Sequence, residues 1–143
     1  MFIVNVEGAI NKDGKWLIIE RGAEEDHAAG TLSLVGGKVE DAGTSYEILE
    51  ETVKREIHEE VGIQIKDELK YVYSSSFAAD DGSMVINTVF LCEYYSGEAF
   101  RKSPQEVGAI YWMSTKDVLE NGNAPGWTKE SIRRAGAMLP GLT

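Results

Sequence analysis

Glu56, Glu59 and Glu60 fall within the stretch REIHEEVGI, Arg55 to Ile63, in a run that reads as helix. Positions three and four apart share a helix face, so these carboxylates project into one patch. Like charges at that spacing cost roughly 0.2–0.5 kcal/mol per pair, so the patch is either an ordinary solvated acidic face or a site that something positive compensates. Arg55, four residues after Glu51 and about two turns after Glu47, is expected to anchor the start of the acidic segment by a salt bridge rather than neutralise the patch itself. Upstream, Gly36-Gly37 permits a close backbone approach that a side chain would block, which lets a carbonyl join the carboxylates around a cation. Carboxylate and carbonyl oxygens are hard ligands that suit Mg²⁺ or Mn²⁺, whereas zinc would recruit Cys or His. His58 sits between the glutamates in sequence, but about 100° per residue turns it off their face, so it reads as a surface or hydrogen-bonding histidine. His27, in the loop-like EEDHAAG, is assigned no role.

The elements that must position these groups follow from the punctuation of the chain. FIVNVEGAI and KWLIIERG are β-rich runs separated by Asn11-Lys12-Asp13-Gly14, a hairpin turn signal, and should pair antiparallel. A glycine-containing segment, GTLSLVGGKVEDAGTS, supplies a loop or short strand and offers Thr44 or Ser45 as a helix cap. From about Tyr46 to Val61 no Pro or Gly interrupts, and Leu49, Val53, Ile57 and Val61 recur every four residues as one apolar stripe that Gly62 stops. KYVYSSSFAA and VINTVFLCEYY flank the turn-like DDGSM as a second antiparallel pair, and EVGAIYWMS reads as a further strand. Ser114 is a plausible cap for the short helix TKDVLE, and Thr128 for KESIRRAGAML. The expected architecture is α/β (α+β), a mixed sheet between helices, within one domain spanning residues 1–143.

Composition narrows the partners. Among 143 residues, 14 basic and 24 acidic side chains give a net charge of −10, which repels polyanions unless a basic groove or a metal ion intervenes, so a nucleic-acid-binding module is not expected. Cys92 is the only cysteine and lies in the apolar run VFLCEYY, where a small buried thiol is the plainer reading than a reactive one. Nothing suggests a membrane span or a signal segment, and a reducing cytoplasm is the default compartment.

Taken together, GGKVEDAGTSYEILEETVKREIHEEVGI, Gly36 to Ile63, resembles the Nudix box. The matching positions are Gly37, Glu47, Arg55, Glu56, Ile57, Glu59, Glu60, Gly62 and Ile63. From Glu47 to Arg55 the spacing agrees with the family pattern. Between Gly37 and Glu47 nine residues stand where the pattern has five, a four-residue insertion that leaves the helix in register. GGKVED is no Walker loop, because no Ser or Thr follows the lysine.

The resemblance implies a Nudix αβα sandwich and a Mg²⁺-dependent pyrophosphohydrolase, with Mn²⁺ able to substitute. Such an enzyme cleaves a phosphoanhydride bond of a nucleoside diphosphate linked to another moiety, in a nucleoside triphosphate, an ADP-ribose-like sugar or a related nucleotide. On that analogy Glu56 and Glu60 are direct metal ligands, Glu59 is a ligand or the base that takes a proton from the attacking water, and Gly37 offers its carbonyl. Glu106, outside the box, is a candidate fourth carboxylate, Arg21 a candidate for a substrate phosphate, and Glu47 and Arg55 structural. The alternative is a catalytically silent Nudix-fold regulator that binds a nucleotide, although such proteins typically lose box glutamates and all three stand here. An isomerase of isoprenoid diphosphates on this fold would need a catalytic cysteine, for which Cys92 is poorly placed. Tyr73, Phe77, Tyr111 and Trp127 are candidate base-stacking residues, each more readily explained as core. Homodimers are common in the family, but no exposed apolar stripe marks an interface.

Overall fold

The computed structural model describes residues 1–23, 25 and 28–140 of the chain, so His27 lies outside the described residues. The chain begins with β1 (Phe2–Lys12) and β2 (Lys15–Arg21). The turn joining them has Asp13 at φ 52° and Gly14 at φ 84°. Two successive positive φ angles match the right-handed twist of paired strands, so the hairpin closes antiparallel with Lys12 opposite Lys15, as the turn signal predicts. Two short strands follow, β3 (Leu32–Ser33) against β2 and β4 (Val35–Lys38) against β1. Gly36 is required at that approach, since a Cβ there would lie 2.0 Å from the Val6 carbonyl oxygen.

The helix α1 (Ile48–Val61) carries the apolar stripe: Val53, Ile57 and Val61 are fully buried and Leu49 packs at their margin. Gly62 ends it at φ 74°, in the left-handed conformation that glycine adopts without strain. The predicted cap is corrected. The helix starts two residues later than Tyr46, with Glu47 as the boundary residue and no side-chain cap, and Ser45 Oγ instead accepts from the Glu47 amide at 3.1 Å.

After α1 come β5 (Gln64–Ile65), β6 (Lys70–Ala78) and β7 (Met84–Ser96); β6 pairs antiparallel with β7. The long β7 runs parallel to β1 from Phe2 opposite Met84 to Asn11 opposite Glu93. Then β8 (Val107–Met113) pairs antiparallel with β2. The helices α2 (Thr115–Glu120) and α3 (Gly126–Ala137) close the described chain. Ser114 caps α2 as expected, accepting from the Asp117 amide at 3.1 Å. Thr128 does not cap α3; the helix begins before it, and the Thr128 hydroxyl donates to the Leu32 carbonyl at 2.9 Å, docking the helix on β3.

The result is a mixed sheet between two helical layers. On one face α1 buries Val53, Ile57 and Val61 against Val6, Ile10, Leu17 and Phe90. On the other, Val118 of α2 and Ile132 and Ala135 of α3 pack on Ala9, Trp16, Ile18, Val89 and Leu91. Trp16 is fully buried, and its indole N–H donates to Thr115 Oγ1 at 2.9 Å, which fastens α2 to β2. Among the described residues no helix is long and apolar enough to cross a membrane.

Candidate metal and phosphate site

The face of α1 that carries Glu56 and Glu60 lies beneath β4 and the segment leading into β8. One oxygen each from Glu56, Glu60 and Glu106 lies within 4.8 Å of the others. Glu60 is 4% exposed and its Oε2 is buried without a hydrogen-bond partner. A buried carboxylate oxygen with nothing to bond is costly, because the desolvation of the charge goes uncompensated. Burial, together with the neighbouring Glu56 and Glu106 carboxylates, pushes the Glu60 carboxyl up to about 10. Burial also raises Glu56, with the Arg55 guanidinium opposing it.

The elements around the cluster explain its shape. A Cβ on Gly37 would lie 2.4 Å from the Glu56 carboxyl carbon, so only glycine lets β4 pass this close to the ligand face of α1. The segment between β7 and β8 clasps the end of α1. The Phe100 amide donates to the Val61 carbonyl at 3.1 Å, the Lys102 amide donates to the Glu60 carbonyl at 3.1 Å, and the Phe100 ring occupies the space where a Gly62 Cβ would stand. Ser103 Oγ donates to Glu106 Oε1 at 3.0 Å, which holds the exposed member of the trio. At the end of β2, the Gly22 amide donates to the Glu106 carbonyl at 2.9 Å. Arg21 therefore stands beside this segment, opposite Val107, with its guanidinium on Glu25 at 3.4 Å.

The structure brings together Glu56, Glu60, Glu106 and Gly37 from the expected set, with Arg21 nearby. Glu59 stands apart, more than half exposed, its carboxylate held by Arg55 at 3.2 Å. The expected pairing of Arg55 with Glu51 or Glu47 is corrected: its guanidinium donates to Glu56 at 3.1 Å and to Glu59, so it neutralises the acidic patch directly. An acid four residues before the arginine is the favoured helix pair, but Glu51 is taken by the Ser45 hydroxyl at 2.8 Å, which leaves Arg55 to Glu56 and Glu59. Glu47 is exposed and its side chain caps nothing. His58 is exposed on α1, its Nε2 3.3 Å from Lys102 Nζ.

Cys92 is fully buried, and burial pushes its thiol up to about 12, which fits an inert core side chain. Of the aromatic candidates, Tyr73 is tied into the α3 layer by a 2.8 Å hydrogen bond with Ser131 and by Arg134 over its ring. Phe77, Tyr111 and Trp127 are 41, 43 and 55% exposed.

Sequence reasoning passed over one polar group on the other face of the sheet. Asn5 Nδ2 donates to Asn87 Oδ1 and Asn87 Nδ2 donates to Glu7 Oε1, both at 2.8 Å. Burial raises the Glu7 carboxyl, with the Asn87 hydrogen bond and the Arg21 charge opposing. The signal was present in FIVNVEG: two polar residues at alternate positions of an otherwise apolar strand share one face.

Comparison with known proteins places this geometry. The family model described as NUDIX domain matches residues 3–135. The chain is 31% identical over 110 residues to an NAD-capped RNA hydrolase NudC of Vibrio parahaemolyticus, covering 77% of this chain and 38% of that protein. It is 41% identical over 96 residues to an ADP-ribose pyrophosphatase of Methanocaldococcus jannaschii, covering 66% of this chain and 53% of the relative. The chain thus spans between about a third and about half of the length of these relatives. Among solved structures, a MutT NUDIX hydrolase from Burkholderia pseudomallei superposes with a TM-score of 0.79 at 27% identity, covering 94% of this chain and 98% of that one.

Proposed function

The chain belongs to the NUDIX family, and from that premise we propose that it is a Mg²⁺-dependent pyrophosphohydrolase that cleaves a phosphoanhydride bond in a nucleoside diphosphate linked to another moiety. The observation that carries this reading is the buried, unpartnered Oε2 of Glu60 within a trio of carboxylates. The donor set fits a hard divalent cation: three carboxylates, no Cys or His among them, and a glycine strand whose missing Cβ leaves room. Glu56, Glu60, Glu106 and the Gly37 carbonyl are the groups proposed to hold it. A cation there supplies charge neutralisation for the diphosphate and lowers the pKa of water.

The protein's own groups do the rest of the work. Arg21, at the rim, meets phosphate charge that the acidic protein would otherwise repel. Glu106, exposed at the edge of the trio, is the carboxylate proposed either to complete the cation's ligands or to take the proton from the attacking water. Ser103 keeps that carboxylate in place, and Arg55 holds Glu56 and draws Glu59 away from the centre. Glu59, the other base considered, lies outside the trio with its carboxylate on Arg55.

The test is product release from a panel of nucleoside triphosphates, ADP-ribose, nucleoside diphosphate sugars and dinucleoside polyphosphates, with Mg²⁺, with Mn²⁺ and in EDTA. Turnover that requires either metal and vanishes on chelation supports the reading. Undiminished turnover in exhaustively chelated protein rules it out, and saturable nucleotide binding without turnover returns the regulator reading.

A further inference from the structure

Glu56 and Glu60 are fixed by the helix that carries them, but Glu106 reaches the trio from a loop. The Lys102 amide donates to the Glu60 carbonyl at 3.1 Å and the Ser103 amide to the same oxygen at 3.4 Å. The loop is thus registered on the residue whose side-chain oxygen is buried without a partner. Beyond that point Ser103-Pro104-Gln105-Glu106 folds into a tight turn, with the Glu106 and Val107 amides donating to the Ser103 carbonyl at 3.1 and 2.9 Å. Proline at the second position of such a turn has its φ already set. The hydroxyl that holds the Glu106 carboxylate, at 3.0 Å, belongs to Ser103 of the same turn. A turn that tilts therefore takes the carboxylate with it.

Arg101 braces this turn. Its Nε donates to the Val107 carbonyl at 2.8 Å and its Nη2 to the Pro104 carbonyl at 3.3 Å. One planar guanidinium thus ties the chain entering the turn to the chain leaving it, with two donors in a fixed relation that a lysine does not reproduce. The brace falls where the sheet is irregular: Ala109 stands opposite Glu20 and Val107 opposite Arg21, which leaves Gly108 over. A bulge bends its strand and re-aims the side chains beside it, so the start of β8 needs a further hold if Glu106 is to keep its direction. The chain carries 24 acidic side chains that an exposed arginine could pair with, yet this guanidinium faces two backbone carbonyls.

We propose that Arg101 is a positioning residue for the carboxylate centre: by bracing residues 103–106 against the start of β8 it sets Glu106 where the trio has it, one oxygen of each member within 4.8 Å of the others. Arg101 acts through Glu106 and not on substrate or cation. The inference rests on the pyrophosphohydrolase reading and adds to it the residue that holds the third carboxylate in place.

The experiment is a double-mutant cycle of Arg101→Ala and Glu106→Gln. It is read by calorimetric Mn²⁺ affinity, and by kcat and KM at saturating Mg²⁺ on the nucleotide that wild type hydrolyses best. Arg101→Ala should follow Glu106→Gln in both readouts: weaker Mn²⁺ binding, or a kcat lower by about tenfold or more with KM within about twofold, or both. The combined variant should be no worse than Glu106→Gln alone, because a carboxylate already disabled has no position left to lose. Arg101→Lys keeps the charge but offers one ammonium to two carbonyls. It should recover only part of the loss, and it serves in place of the alanine variant should that one not fold. Wild-type values in Arg101→Ala, a fall confined to KM, or losses that multiply in the combined variant overturn the proposal and leave the hydrolase reading standing. A Glu106→Gln without effect also overturns it, since Arg101 then has nothing to position. Absence of turnover on every nucleotide, with Mn²⁺ binding that the two variants weaken without multiplying, sinks the hydrolase reading and keeps the positioning role.

Discussion

At position 60 a glutamate is 4% exposed with one oxygen unpartnered, four residues from Glu56 and against Glu106. With only protein around it, its carboxyl sits up at about 10, against an ordinary value of 4.5. The sign of the consequence is fixed by linkage. Above pH 4.5 the unfolded chain releases a proton that the folded protein keeps, so this residue's contribution is fully present below that value. It is lost as pH rises towards about 10, at up to about 1.4 kcal/mol per pH unit. Glu60→Gln removes that slope. Denaturation in EDTA at about pH 5, 7 and 9 should show the variant gaining on wild type as pH rises, whereas parallel pH dependences would contradict the burial argument. Glu56 and Glu60 were legible in the sequence because a spacing of four places them on one face. Glu59 was not separable from them, since Arg55 bonds both Glu56 and Glu59 and only the path of the segment carrying Glu106 shows which carboxylates it meets. Glu106 came from the family resemblance alone, and Glu7 was missed because a polar residue in a strand is ordinarily read as its solvent side.

At the scale of elements, the helix stripe, both hairpins and the Ser114 cap followed from local signals that tertiary contacts left intact. The helix starts did not. Thr44, Ser45 and Thr128 all have the right chemistry for caps, yet Ser45 was drawn to Glu47 and Glu51 and Thr128 to Leu32, competitions that sequence spacing does not rank. Gly62 joins two requirements, a φ of 74° and room for the Phe100 ring, whose nearest atom would lie 2.2 Å from an added Cβ. Gly62→Ala should therefore destabilise by about 1–3 kcal/mol through backbone strain and overpacking. It should also weaken the Mg²⁺ response, because the displaced segment is the one that carries Glu106. A Tm within a degree or so of wild type with an unchanged Mg²⁺ response would show that the clasp between Phe100 and α1 has no such role.

The whole molecule supplies what no local signal could. The parallel pairing of β1 with β7 joins segments some 80 residues apart, and a strand alone does not announce so distant a partner. That pairing sets Glu7 beside Asn87, and the β2–β8 pairing sets Arg21 beside the segment that carries Glu106. By contrast the insertion before α1 stays outside this framework: residues 40–47 are exposed, between the end of β4 and the start of α1. Deleting Asp41 to Thr44 should leave the Mg²⁺ response within error of wild type, and loss of that response would show that the loop shapes the site. The most direct test of the central claim, that Glu60 belongs to a metal centre and not to an acidic helix face, is the Mg²⁺ dependence of Tm in wild type, Glu60→Gln and Glu120→Gln, the last an exposed control at the end of α2. A ligand at a hundred times its Kd stabilises the folded state by about 2.7 kcal/mol. Wild type and Glu120→Gln should show that rise together, and Glu60→Gln should lose most of it along with about 100-fold or more of turnover. An equal rise and equal turnover in all three would contradict the assignment of Glu60 as a metal ligand.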